Sequence, residues 1–331
     1  MSLVLILTNA ADKTSALVEN DLKTLGVNYV RLNTESFGSD SSIAFNLVDS
    51  TPGFVIIKDG NQISGDDIHS IWYRRPVAPE VAHLHQDFAV AQFVRAELES
   101  ALYGVLFSLR CKWISHPSSI RLASHKIAQL NAATRFGFDV PKTIVSMNPD
   151  DIRQFYKALR SEGKRTVAKL VSKGPPHATA PEHQYCVYTS VLSDADLESS
   201  VALSVCPATY QEYVDKKYEL RVTVVGEKVF ACEIHSQATE KTSVDWRRYD
   251  LPNTPHVPHR LEPLIEERCI ALTKYFGLRF SAIDLILTPD NRLVFLELNP
   301  NGQWGWIQEL TGQPISMSLA QLLASVQDED D

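Results

Sequence analysis

The chain has 331 residues, of which 44% are apolar and 22% charged; this is an ordinary globular composition with length for two or three domains. A formal net charge of -8 argues against duplex DNA as the main partner, since that needs a clustered basic surface. Five dispersed cysteines (Cys111, Cys186, Cys206, Cys232, Cys269) show no CxxC spacing, which argues against zinc and for free thiols in a reducing, cytoplasmic setting.

The opening MSLVLIL is too short for a secretory signal and lacks a basic flank. No run of about 18 apolar residues suggests a membrane span. Residues 3-8 read instead as a buried strand. Leu17, Val18, Leu22 and Leu25 predict a helix over 13-25, stopped by Gly26, and 28-32 read as a second strand. Strand, helix, strand predicts a parallel α/β unit, but without GxGxxG it carries no dinucleotide fingerprint. Further strands are expected at 54-58 and 71-73, and a long helix at 87-109. HPSS (116-119) reads as a turn and 120-136 as one helix containing Lys126. A strand begins at PKT (141-143). The next helix, near 150-162, has Asp150 or Asp151 close to its N-cap and Gly163 past its end. RTVAKLV (165-171) is a strand holding Lys169, and SKGPPHATAPEH (172-183) has loop composition. TYQEYVDK (209-216) and ELRVTVVG (219-226) read as strands, the latter paired with 227-234 across Gly226-Glu227. After a polar stretch (236-250) and a helix over 261-275, SAIDLIL and RLVFLELN form a hairpin.

That hairpin carries the chemistry. Side chains alternate faces along a strand, so Glu297 and Asn299 share one face. A four-residue loop sets Asp284 diagonal to Glu297, and a six-residue loop sets it directly opposite. Two carboxylates buried together need a cation or a proton, and an all-oxygen set suits Mg²⁺. The plainer reading pairs Asp284 with an arginine and has Asn299 cap the turn. Lys169, in mid-strand, and Lys126 add cations suited to a triphosphate. QEYV offers backbone to an adenine edge, and Glu219 lies seven residues after Glu212, placed to hold ribose hydroxyls.

Lys126, Lys169, QEYV, Glu219, Asp284, Glu297 and Asn299, in this order, resemble the ATP-grasp superfamily. IWYRRP (71-76), ISHPSSIRLASHKIAQLNAA (114-133), ELRVTVVGEKVFACEI (219-234), VDWRRYD (244-250) and ELNPNGQWGWIQELTG (297-312) are similar to the microviridin-type maturases of ribosomal peptides, the graspetide enzymes. The resemblance spans the chain. It implies an α/β (α+β) ATP-grasp fold, with a pre-ATP-grasp domain at 1-115, a central domain at 116-208 and a C-terminal lobe at 209-331. It implies ATP and Mg²⁺ as cofactors, a precursor peptide with a leader and an acidic core as partner, and a homodimer. The implied activity phosphorylates an Asp or Glu side chain of the peptide; a Ser or Thr hydroxyl or a Lys amine then closes an ω-ester or ω-amide ring. By the same resemblance Lys126 and Lys169 bind phosphates, Glu212, Tyr213 and Val214 meet adenine, and Glu219 meets ribose. Asp284, Glu297 and Asn299 ligate Mg²⁺. Arg221 and either Arg247 or Arg248 approach the acyl phosphate. Two features depart from the superfamily: Leu170-Val171 follows Lys169 where many members have proline, and KGPPHATAP is not glycine-rich.

Other residues carry two readings each. His235 and Asp245 are candidate bases by location, or simply a surface histidine and a turn aspartate. Arg74-Arg75 read as solvated or as contacts to peptide, phosphate or a partner. Lys216-Lys217 read as a solvent-facing turn. Trp304 and Trp306 read as core or as site wall, and the Ile152/Phe155/Tyr156/Leu159 stripe as core or as a docking face for a leader helix. Two other functions compete: an ATP-grasp ligase acting on a small molecule or a protein C-terminus, and a nucleotide-binding regulatory module. Intact metal ligands together with Arg221 and Arg247 argue against the regulatory module.

Overall fold

The computed structural model describes residues 3-48, 51-81, 87-172, 189-238 and 253-325. The chain opens with β1 (Leu3–Thr8), α1 (Ser15–Thr24) and β2 (Asn28–Asn33). A small antiparallel sheet follows, built from β3 (Ser41–Val48), β4 (Thr51–Lys58) and β5 (Asn61–Ser64). Then come β6 (Ile68–Tyr73), α2 (Phe88–Ser108) and β7 (Lys112–Ile114). The strand order β2-β1-β6-β7 is parallel throughout. Residues 4-7 are wholly buried, because a central parallel strand is covered on both faces; the unbroken apolar run is the sign of it.

The middle of the chain holds α3 (Pro117–Ala123), α4 (Lys126–Arg135), β8 (Thr143–Ser146), α5 (Pro149–Ser161), β9 (Thr166–Lys169), β10 (Ser190–Val191), α6 (Ser200–Ser204) and β11 (Ala208–Glu212). Its sheet is antiparallel in the order β10-β9-β11-β8. Two expectations need correction here. HPSS is not a free turn: Pro117 opens α3, and the His116 ring accepts from Ser118 N–H as its cap. The single helix expected over 120-136 is also broken. His125 takes extended backbone (φ -83°, ψ 105°), so Lys126 becomes the first residue of α4 rather than a mid-helix residue. The α5 cap is Asn148, with Asp150 and Asp151 in the first turn. Ile152 and Leu159 are buried, with Phe155 and Tyr156 packed beside them, so the stripe is core.

The last sheet is antiparallel, in the order β14-β13-β12-β15-β16. It comprises β12 (Tyr218–Val225), β13 (Lys228–Ile234), β14 (His256–His259), β15 (Phe280–Leu287) and β16 (Leu293–Asn299). On one face it packs α7 (Pro263–Tyr275) through Leu220, Val222, Leu272 and Phe295. After β16 the chain forms α8 (Gly305–Thr311) and α9 (Ile315–Ala324). Leu319 and Leu323 of α9 share a core with Val4 and Ile6 of the first sheet, with Leu22 of α1 and with Phe280 of the last sheet. Ser70 Oγ donates to Leu323 C=O at 2.9 Å. The first sheet and α9 are therefore built into one body.

Candidate active site

The hairpin of β15 and β16 sets the site. Leu287 pairs with Leu293 and Leu285 with Phe295; the register then shifts, and Asp284 pairs with Glu297. The loop is thus five residues, neither four nor six, and a bulge at Leu296 brings Asp284 directly opposite Glu297. Asn299 follows on the same face. Its Nδ2 lies 3.2 Å from Glu297 Oε1 and 3.5 Å from Asp284 Oδ2, so both carboxylates surround one amide group.

Each carboxylate also has a cation. Arg221, opposite Asp284 on β12, places Nη1 at 2.9 Å from Oδ1 and 3.1 Å from Oδ2. The plainer expectation, that Asp284 pairs with an arginine, is thus seen in the geometry. Lys126 Nζ lies 3.3 Å from Glu297 Oε2 and 3.4 Å from Leu170 C=O. The helix break explains that reach: the first residue of α4 points its side chain out of the helix end toward β16. Gln129, one turn on, fixes the approach. Its buried amide donates to Ala123 C=O (2.6 Å) and Leu298 C=O (2.7 Å), and accepts from Leu298 N–H at 3.0 Å. A glutamine inside a helix reads as a surface residue, and no sequence signal marked this one.

These groups open into a cleft of about 260 Å³ between the middle and last sheets. Lys126, Lys169, Glu212, Tyr213, Val214, Glu219, Asp284, Glu297 and Asn299 all line it. Lys169 Nζ donates to Gln211 Oε1 at 2.7 Å. Glu212 pairs with Lys164 at 2.9 Å, and the Arg165 guanidinium covers the Tyr213 ring at 3.9 Å. Glu219 pairs with Lys216 at 2.6 Å, and both side chains are nearly inaccessible. The solvent-facing turn expected at Lys216-Lys217 is corrected for Lys216, which Glu219 draws inward. Glu219 Oε2 is buried and has no hydrogen-bond partner among the described residues. Arg247, Arg248, Asp245 and most of the loops 172-183 and 236-250 lie outside the described residues.

The remaining candidates are placed as follows. His235 Nε2 lies 2.8 Å from Glu233 Oε2, and His259 Nδ1 lies 2.7 Å from Glu233 Oε1. Burial pushes the Glu233 carboxyl up, but the two histidine hydrogen bonds outweigh it and hold the group below its ordinary range. Glu233 pairs with Leu220 and so shares the face packed on α7, away from Asp284. His235 thus sits with Glu233 on the back of the sheet. His256, on β14, pairs with Ile234, which itself pairs with Glu219, so it lies on the cleft side. Its ring meets Trp306 edge-on at 5.1 Å, and burial lowers its pKa. Trp304 is fully buried. Arg74 is not solvated: it is 1% exposed, donates to Gly302 C=O (3.1 Å) and Gln303 Oε1 (2.7 Å), and faces Asp12 at 3.5 Å. Burial pulls its pKa down to about 10 against the pull of Asp12, so it stays charged and ties the first sheet to the turn after β16.

A family model described as the MvdD pre-ATP grasp domain matches residues 3-121. The solved structure of a Chryseobacterium gregarium RiPP-associated ATP-grasp ligase, in complex with ADP and a leader and core peptide, is 28% identical. It covers 99% of each chain with a TM-score of 0.90. The chain has the ATP-grasp fold, with a pre-ATP-grasp domain of the MvdD type at residues 3-121. Macrocyclase MdnC of Microcystis aeruginosa MRC, bound with precursor peptide MdnA, is 29% identical over 98% of this chain and 100% of its own, at a TM-score of 0.83. Macrocyclase MdnB from the same source is 26% identical over 98% and 99%, at 0.78. A search of curated proteins finds no significant match. The ATP-grasp fold accounts for the two facing antiparallel sheets, with the cleft between them.

Proposed function

We propose that this chain is an ATP-dependent, ADP-forming ligase that macrocyclises a ribosomal precursor peptide. The observation that carries the reading is the pairing of both cleft carboxylates with cations, Asp284 with Arg221 and Glu297 with Lys126, around one Asn299 amide. The donor set fits a hard divalent cation: turning the amide over would bring Asn299 Oδ1 to the point the two carboxylates surround. Asp284, Glu297 and Asn299 would hold Mg²⁺, which supplies charge neutralisation at the transferred phosphoryl group. Released from Glu297, Lys126 would join Lys169 on the phosphates. The unpartnered Glu219 Oε2 suits a ribose hydroxyl donor, and Glu212, Tyr213 and Val214 would border adenine. Arg221, buried beside Asp284, would steady the negative charge of the reacting carboxylate, with Arg247 or Arg248 as second cation.

In this reading a peptide Asp or Glu side chain is activated as its acyl phosphate. A Ser or Thr hydroxyl then displaces phosphate to give an ω-ester, or a Lys amine gives an ω-amide, with one proton lost in either case. The ADP, leader and core peptide of the Chryseobacterium gregarium ligase structure support it. We further propose the three-part division at 1-115, 116-208 and 209-331, a homodimer, and a cytoplasmic setting. Free cysteines at Cys111, Cys206, Cys232 and Cys269 support the last. The test incubates the precursor peptide with this protein, Mg²⁺ and ATP and follows it by mass spectrometry. Loss of one water mass per ring, with ADP and phosphate formed, is expected, and a base-labile ring identifies the ester. An unmodified peptide alongside tightly bound ATP overturns the proposal.

A further inference from the structure

We propose that Arg74 is a positioning residue for the metal site: by gripping the turn that follows Asn299, it makes the first sheet set how tightly Asp284, Glu297 and Asn299 hold a divalent cation. The inference rests on the metal assignment above and deepens it. Asn299 is the last residue of β16, so the strand holds it from one side and the turn ahead from the other. That turn is tight. Gly302 N–H donates to Asn299 C=O at 3.2 Å. A Cβ built on Gly302 would lie 3.2 Å from Asn299 Cβ and would clash with the Cβ of Ala282, the ladder partner of Asn299. Residue 302 thus sits directly against the root of the Asn299 side chain, and a displaced turn displaces the ligand.

Arg74 reaches this turn from the end of β6. Its Nη1 donates to Gly302 C=O at 3.1 Å and to Asn301 C=O at 3.4 Å, and its Nη2 to Gln303 Oε1 at 2.7 Å. With its amide turned toward acceptors, Asn301 also donates to Tyr73 C=O at 3.2 Å. Behind the guanidinium stands Asp12, 3.5 Å from Arg74 Nε. Asp12 is itself held by Thr8 Oγ1 at 2.9 Å and by Thr14 N–H at 3.2 Å. Residues 301, 302 and 303 are thus all bonded to one buried side chain whose own place is fixed.

Neutralising Asp12 does not account for this arrangement, since a lysine would do that with a point charge. The guanidinium instead directs its two terminal nitrogens at three acceptors of one turn, which takes a planar fork. Burying such a group costs free energy, and the strand end that it steadies carries a metal ligand. Removing a group that orients a metal ligand typically weakens metal binding by about 10–100-fold.

The experiment titrates Mn²⁺ into the full chain saturated with ADP and counts the free ion by electron paramagnetic resonance. Arg74→Met is combined with Asp12→Asn, so that no buried charge is left unpaired. This variant should bind Mn²⁺ at least about 10-fold more weakly than the wild type. Its affinity for ADP in EDTA should stay within about 3-fold, less than one hydrogen bond to a charged group contributes. Gln303→Leu removes one acceptor and leaves Arg74 beside Asp12. It carries the test if the double variant does not fold, with a loss of about 3–10-fold in Mn²⁺ affinity expected. A folded variant whose Mn²⁺ affinity stays within about 3-fold of wild type overturns the proposal. So does an equal loss of ADP affinity in EDTA, which would make Arg74 a merely structural link. Asn299→Ala separates this from the metal assignment, because it should weaken Mn²⁺ binding whatever Arg74 does. An Asn299→Ala variant that binds Mn²⁺ as the wild type does, or a wild type that binds none, overturns both.

Discussion

Replacing Gln129 with methionine keeps the length of the side chain and removes every polar atom it contributes. Three buried hydrogen bonds go: to Ala123 C=O, to Leu298 C=O, and from Leu298 N–H. The side chain is 2% exposed, so water does not replace them. Neutral buried bonds contribute about 1 kcal/mol each, and orphaned partners cost about 1–3 kcal/mol, which places the loss near 3 kcal/mol. The loss falls on the line that crosses the cleft. Lys126 lies three residues before Gln129 on α4, and Glu297 and Asn299 lie on either side of Leu298. At roughly 1.4 kcal/mol per decade, about 3 kcal/mol corresponds to a fall of roughly 100-fold in amide-exchange protection at Leu298, if its opening is local. The same variant should bind ATP more weakly, because Lys126 and the Asp284–Glu297–Asn299 face are no longer held in register. Hydrogen exchange read at Leu298, with nucleotide binding measured in parallel, tests both. Protection unchanged to within about 3-fold would mean that Gln129 only fills space and that the helix is held by other packing.

Asp284→Asn keeps the shape but removes the charge that Arg221 grips at 2.9 and 3.1 Å; peptide-dependent ATP turnover should fall by at least about 100-fold, and full turnover in a folded variant would sink the metal assignment. Glu219→Ala should raise the KM for ATP by about 10-fold, the worth of one good hydrogen bond, with little change in kcat. It should also abolish any preference for ATP over 2′-deoxy-ATP; a preserved preference would remove Glu219 from the ribose. Glu233 titrates below its ordinary value of 4.5 because His259 and His235 outweigh its burial. A depressed carboxylate stabilises the fold above its unfolded pKa and loses that contribution as pH falls through the folded value. Wild type should therefore exceed Glu233→Gln in urea midpoint near neutral pH, and the gap should close below about pH 4.5. A gap that is constant with pH would show that the histidine pairing is not the cause.

Much of the fold was written in local patterns. The buried run at residues 4-7, Gly26 after α1, and the Gly226-Glu227 turn between β12 and β13 were each marked by a residue type whose physics permits few alternatives. Gly226 takes a positive φ of 57°, which favours glycine. What escaped was set by tertiary contact. Ser124-His125 contains no glycine or proline, so the break before Lys126 had no local signature. Lys216 looked like half of a basic turn until Glu219 paired with it in the interior. The hairpin gives the clearest case. A five-residue loop with an unbroken ladder would set Asp284 opposite Leu296 and turn Glu297 to the other face, because a slip of one residue inverts every side chain beyond it. The bulge at Leu296 adds one residue back. It therefore does not disturb an otherwise regular site: with this loop length, it is what places Glu297 and Asn299 on the same side as Asp284. After a one-residue deletion in the loop, Glu297 would stay opposite Asp284 in either of two ways: Leu287 still faces Leu293 and the bulge persists, or five residues still turn the chain and the ladder slips by one, so that Leu287 faces Val294 and no bulge is needed.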